Sequence, residues 1–179
     1  MTEGQDTMQP IRGKAFHCGD FVNTDVMSPG RFEPYAGPKH LASIALVDYE
    51  SPVPFVRPGE TRSDFTVIFA GIEFGCGSSR ETAPQALHYA GARVVVAWSF
   101  ARIFYRNCIN MGLILPIELR HPFGTEVIGE EVVIDLDERT VDVSGRRLTF
   151  PAFGPVSRII AAGGLTKLNQ QALARGATR

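Results

Sequence analysis

Three cysteines in 179 residues, Cys18, Cys76 and Cys108, are too few and too scattered for a disulfide framework. They read as reduced thiols of a cytoplasmic protein. No two stand as CxxC, so the chain by itself is a poor cage for a metal or cluster. No stretch approaches the ~20 apolar residues of a membrane span. The N-terminal MTEGQDTMQPIRG lacks the apolar core of a signal peptide. Neither sign of charge is in excess: 18 basic residues face 19 acidic ones, a formal net charge of -1. No bulk basic field therefore argues for nucleic acid. There is no GxxxxGK[ST] lysine, and the glycines do not match the dinucleotide fingerprint. What remains is a chain with 44% hydrophobic and 21% charged residues, long enough for one domain with a real core.

Residues 1–11 read as a flexible lead, and 12–26 as a first strand and a loop. Residues 28–38 carry three prolines and two glycines and form a loop. Residues 39–48 suit a short helix, and 50–64 a Pro-rich connection. The middle is clearer. Phe65–Ala70 is nearly all apolar, as a buried strand requires. Ala83, Ala86, Leu87 and Ala90 then recur at helical spacing, and Gly91 stops that helix. Residues 93–97 form a second strand and 100–111 a second helix, with Phe104, Cys108 and Met111 on one face. Residues 113–117 form a third strand. Strand, helix, strand, helix, strand implies parallel pairing with right-handed crossovers. Beyond it, 132–136 and 140–143 read as an antiparallel hairpin, with a further strand at 147–150. A short helix over 156–162 closes at Gly163-Gly164, and 166–179 reads as a polar tail.

The segment that carries chemistry is Phe74-Gly75-Cys76-Gly77-Ser78-Ser79-Arg80-Glu81, between the first buried strand and its helix. Glycines let the backbone approach a ligand closely. A helix N-terminus offers unpaired N–H groups and partial positive charge. Arg80 adds a planar fork for a carboxylate or phosphate. Together these parts make an anion-binding loop. In the plain structural alternative, Ser78 or Ser79 caps the helix, with Glu81 in its first turn and Arg80 in solvent. Cys108 belongs in the core, Trp98 reads as packing and His88 as a helix-surface residue. Arg102 and Arg106, four apart on one helix face, bind substrate or serve structure.

GCGSSRETAPQAL followed by AWSFARIFYRNCINMGL closely resembles the small-subunit family of 3-isopropylmalate dehydratase, the counterpart of the mobile C-terminal domain of aconitase. Upstream, GDFVNTD (19–25) and SPGRF (28–32) fit the same family, so the likeness runs from about residue 12 to 119. The resemblance implies an α/β fold, a three-layer β/β/α swivel spanning residues 12–165. It implies a separate large subunit that carries a 4Fe–4S cluster, with no cofactor or metal held by this chain. The substrate would be a small di- or tricarboxylic hydroxy-acid, with no nucleic acid and no membrane involved. The implied reaction is reversible loss of water. By the resemblance Ser78 is the base that takes a proton from carbon, while Ser79 and Arg80 bind the substrate. A serine hydroxyl needs N–H donors and a cation around its oxygen to act as a base near neutral pH. The Gly75, Cys76 and Gly77 backbone together with Arg80 is expected to supply them. Arg31, Phe32 and Glu33 occupy the substrate-selecting loop, and Asp20, Thr24 and Asp25 support the site.

Two departures bear on substrate. Thr82 stands where the family usually has histidine. Glu33 stands where an apolar residue would meet an isopropyl group, and a buried unpaired carboxylate is costly. The alternatives are a related acid (homoaconitate, citramalate or dimethylmalate), or a non-catalytic binding or regulatory module on the same fold.

Overall fold

The computed structural model describes residues 9–32, 34 and 37–176. Glu33 and most of the expected lead lie outside them. Among the described residues, seven strands form one sheet: β1 (Ile11–His17), β2 (Phe65–Ala70), β3 (Val94–Ala97), β4 (Leu115–Glu118), β5 (Glu131–Asp135), β6 (Thr140–Val143) and β7 (Arg146–Thr149). Their order is β4-β3-β2-β1-β5-β6-β7. β1 to β4 pair in parallel. From β1 outward through β7 the pairing is antiparallel. β1 is thus the hinge between two kinds of sheet.

The parallel crossovers are helical, with α1 (Thr24–Met27) and α2 (Pro38–Ser43) after β1, α3 (Thr82–Ala90) after β2, and α4 (Arg102–Met111) after β3. The strand sequence explains the layering. In β2, Val67 and Phe69 face one core while Ile68 and Ala70 face the other; in β3, Val94 and Val96 alternate with Val95 and Ala97 in the same way. Such strands are buried on both faces and read as unbroken apolar runs. One face packs against Ala83, Ala86 and Leu87 of α3 and Phe104 and Cys108 of α4. The other packs against Val132, Ile134, Val141 and Val143 of β5 and β6. The sheet therefore curls over itself, giving helix, parallel strands and antiparallel strands as successive layers, the expected β/β/α architecture.

The pairing of β1 with β2 shifts by one residue between Lys14 and Ala15, a bulge at the level of Thr66. α3 and α4 end at Gly91 and Gly112, both in the left-handed region. Cys108 is in the core as expected, but Met111 is only half-buried. α5 (Ser157–Ala162) closes at Gly163. The tail expected over 166–179 is corrected: Leu165–Gly176 is a helix, α6, leaning on α4 and α5 with most of its surface exposed. Leu, Lys, Gln, Ala and Arg give it enough intrinsic propensity to form with little burial.

Candidate functional site

Two loops leave the C-terminal ends of β1 and β2 and are laced together by backbone bonds. Gly75 N–H donates to the Val22 carbonyl at 2.9 Å and Thr24 N–H to the Cys76 carbonyl at 2.9 Å. Asn23 and Cys76 form an isolated parallel bridge. Phe21 N–H donates to the Ile72 carbonyl at 2.8 Å. Side chains extend the lacing. The Thr24 hydroxyl donates to the Ser78 carbonyl at 2.9 Å. The Asp20 carboxylate accepts from Ile72 N–H at 2.9 Å. Cys76 Sγ lies 3.3 Å from the Phe21 carbonyl. Asp20 and Thr24 thus brace the serine loop, and their neighbours are explained by that geometry.

The glycines are required by this path. Gly75 has φ +84 and faces the Phe104 ring, and Gly77 has φ +91 and faces the Asn23 side chain. At either position a Cβ would collide with those groups as well as sit in a conformation that L side chains resist.

Ser78 and Ser79 are exposed, beyond this braced segment. Neither caps α3. The N-cap is Glu81, whose side chain makes no cap bond, and α3 begins at Thr82. The lacing holds Cys76 and Ser78 against the β1 loop, so the chain reaches helical geometry only after Arg80. The serine hydroxyls are left for another use.

The donors around them differ from the expected set. Gly75 N–H is taken by Val22, and Cys76 N–H by the Glu73 carbonyl at 3.2 Å. Among the described residues, the N–H groups of Gly77, Ser78 and Ser79 donate to no carbonyl or side chain. The open amides therefore begin at Gly77, not at Gly75.

Arg80 does not reach freely into solvent. Its Nη2 lies 2.6 Å from Asp25 Oδ1, and its Nη1 donates to the Ser28 carbonyl at 3.4 Å. Its fork lies against Gly30, where a Cβ would come within 2.9 Å of Nη1. Asn23 caps α1 by accepting from Asp25 N–H at 2.8 Å, so it sets Asp25 in place and Asp25 sets Arg80. Arg80 and Asp25 form a charge-neutral pair. The pair therefore adds hydrogen-bond donors to the loop but little net positive charge.

Arg31 is turned to a partner of its own. It is doubly hydrogen-bonded to Asp48, one of these bonds being 2.6 Å, and its guanidinium carbon lies 4.5 Å from the centre of the Phe32 ring. The bond from Arg31 holds the Asp48 carboxyl below the usual range, and the same bond raises Arg31 further. The fork expected to meet substrate is here turned to an exposed carboxylate within reach. Phe32 packs against the helix-side core, and its carbonyl lies 3.2 Å from His40 Nε2. Glu33, the remaining member of that loop, lies outside the described residues.

Burial pushes the Cys18 and Cys108 thiols up, so both stay protonated. Among the described residues no group of three His, Cys, Asp or Glu side chains is placed to hold a metal. Arg102 and Arg106 are exposed and make no ion pair among the described residues. His88 is half-buried, and its Nδ1 has no partner among the described residues.

Sequence reasoning missed Asn23, Asp48 and the rim of the site. Asn23 had a readable signal, an Asn opening a one-turn helix. Asp48 had none, because its partner comes from a loop 17 residues away. The rim consists of Phe21, 58% exposed at φ +53, and Trp98, 38% exposed. Trp98 N–H donates to the Gly71 carbonyl at 3.1 Å, so the backbones of both residues are tied to the segment that enters the serine loop. A bulky residue held left-handed with its ring in water is uncommon.

Residues 55–122 match the family model described as the aconitase C-terminal domain. The chain is 38% identical over 168 residues to the 3-isopropylmalate dehydratase small subunit of Thermodesulfovibrio yellowstonii, covering 91% of this chain and 95% of that protein. It is 41% identical over 161 residues to the methanogen homoaconitase small subunit of Methanocaldococcus jannaschii, covering 87% and 88%. It is 42% identical over 162 residues to the 2,3-dimethylmalate dehydratase small subunit of Eubacterium barkeri, covering 86% and 93%. The crystal structure of 3-isopropylmalate dehydratase from Methanocaldococcus jannaschii superposes with a TM-score of 0.76 at 36% identity, over 96% of this chain and all of that one.

Proposed function

The chain belongs to the family of aconitase-type dehydratase small subunits, and from that premise we propose that Ser78 is the base of a reversible dehydration of a malate-type hydroxy-acid. The observation that carries the reading is the placement of Ser78. It stands exposed at the end of a braced loop, beside three amides that donate to no group among the described residues. Donors already fixed in place stabilise the alkoxide that a serine must become before it can act as a base. As that alkoxide, Ser78 Oγ takes the proton from the carbon next to a substrate carboxylate and becomes the neutral hydroxyl, while the adjacent carbon releases its hydroxyl and the C=C bond forms. Ser79 and Arg80 hold that carboxylate, with Arg80 shared between it and Asp25.

The 4Fe–4S cluster belongs, in this reading, to the large subunit. The described residues of this chain offer no cage for it. When bound in the partner it supplies Lewis-acid chemistry at the leaving hydroxyl. The large subunit also supplies the missing positive charge and the wall that closes over Ser78. This reading assigns the exposed rings of Phe21 and Trp98 to the contact with that wall. The assembly is a heterodimer of the cytoplasm.

The substrate we propose is a malate-type hydroxy-acid such as 3-isopropylmalate, whose use would place the enzyme in leucine biosynthesis; Glu33 in the substrate-selecting loop favours a more polar relative of that acid. Relatives named for three different acids stand at 38–42% identity, so overall similarity does not rank the acids. A screen of isopropylmalate, homocitrate, citramalate and dimethylmalate on the assembled enzyme ranks them. The mechanism is tested with Ser78→Ala. Turnover of the reconstituted complex should fall about a thousandfold, the scale of a lost general base, while co-purification with the large subunit stays intact. Normal turnover by that variant would remove the proposal.

A further inference from the structure

At the opposite end of β2 from the serine loop, a cavity of about 580 Å³ opens beneath the Pro-rich segment 53–58. Its floor is aromatic. Phe55 is buried and stacks on Phe65, with ring centroids 6.3 Å apart. Val53 lines it too and is 37% exposed. The bulge at Thr66 sets Lys14 and Phe65 side by side in the cavity wall.

The charges around this floor are unequal. Lys14, Arg57 and Arg62 line the cavity against a single carboxylate, Asp64. Arg57 is spoken for: it pairs with Asp64 and lies 3.9 Å from Glu60. Lys14 and Arg62 make no ion pair among the described residues. Glu131, opposite Lys14 in the β1–β5 register, does not line the cavity. An apolar wall of half-buried Phe65 and exposed Val53, beside two cations with no ion pair among the described residues, is a combination that an amphipathic anion satisfies. Its volume is within the range of small-molecule sites, which are mainly apolar with a few polar groups that fix orientation.

We infer that this cavity binds an amphipathic carboxylate, its aromatic or branched aliphatic body on the Phe55–Phe65 floor and its head between Arg62 and Lys14. The guanidinium fork gives the head a two-point grip, and the ammonium adds an undirected charge. The site is separate from the serine loop and independent of the dehydration reading, because β2 carries the two features at its opposite ends.

The test is a fluorescence titration of the full chain with anilinonaphthalene sulfonate, an aromatic anion. Saturable binding at one site should appear, displaced by phenylbutyrate and not by phenylbutylamine, which has a similar body and the opposite charge. The double charge reversal Lys14→Glu with Arg62→Glu should weaken binding at least about tenfold, with the melting temperature unchanged. Should that variant fail to fold, Val53→Asp, which places a carboxylate in the apolar wall, should weaken the probe similarly. Absence of saturable binding, equal displacement by the amine, or undiminished binding in the folded variants overturns the inference.

Discussion

The two halves of the sheet do different work with the same kind of residue. In the parallel half, the central strands β2 and β3 are buried on both faces and each is followed by a long connection. In the antiparallel half only one face is buried, and β5–β6 and β6–β7 are joined by short turns. The polar groups of interest all sit in the long connections: Asn23, Thr24, Asp25, Ser78, Ser79 and Arg80. A crossover must travel the length of a helix and has room to carry chemistry, while a tight turn has none to spare. The antiparallel half contributes a cover for the second face of β2 and β3.

Substitutions matched across the two halves sharpen this contrast. The largest effect belongs to Ser78→Ala, which should cost the assembled enzyme about a thousandfold in turnover. Arg147→Ala on β7 should leave turnover within about twofold, because the polar partners of Arg147 among the described residues are Glu138, Asp142 and Thr140. Equal losses from both would break the contrast.

Next come two glycines with similar backbones and different surroundings. Gly75 (φ +84) and Gly145 (φ +73) are both left-handed, but a Cβ meets the Phe104 ring at the first and nothing within 4 Å at the second. Gly75→Ala should destabilise by about 3 kcal/mol, strain plus overpacking. Gly145→Ala should cost about 1 kcal/mol, strain alone. Urea unfolding midpoints measure the difference, which isolates the packing contribution.

Asp25→Asn should raise KM for the substrate about fivefold, with a smaller fall in kcat, because Arg80 loses its charged anchor but keeps the Ser28 carbonyl. A loss confined to kcat would assign Asp25 to the chemical step instead. Thiol accessibility follows burial. An aromatic disulfide reagent should modify Cys76 alone in the native chain, since Cys18 and Cys108 are buried and their thiols pushed up. All three should react in urea, and Cys76→Ala should abolish the native reaction.

The smallest effect concerns Arg31 and Asp48. The Asp48 carboxyl is lowered in the folded chain, so its stabilising share is present above its unfolded value near 3.8 and is lost as pH falls through the lower folded value. Arg31→Ala should therefore lower stability slightly at and above about pH 4 and leave the acid limit unchanged, so that the two profiles converge as pH falls. Both groups are largely exposed, so the shift in melting temperature should be slight.

The parallel half was legible in the sequence because strand burial on both faces leaves unbroken apolar runs, and Gly91 and Gly112 punctuate them. The hairpin at β5 and β6 was legible from alternation. Helix α6 was not, because nothing about its burial marks it: its leucines mostly face solvent. At the site, the GSSRE run announced itself through composition, but the start of α3 did not. A serine before an apolar periodic stretch reads as a cap. Only the bonds from Val22, Asn23 and Thr24, some 50 residues upstream, hold that serine out of the helix. The same long-range reach explains Asp48. Local chemistry predicts what a side chain can do, and the pairing of distant loops decides whether it is free to do it.

β1 enters the sheet at Ile11 and runs toward the serine loop, so the chain joins the molecule at the far end of the strand, about 20 Å from that loop at ~3.3 Å per residue. A short affinity tag, fluorophore or surface linker fused ahead of Ile11 is therefore planted on the side away from Ser78. Immobilised through that end, the protein displays its reactive edge outward, ready for a partner to be captured and counted.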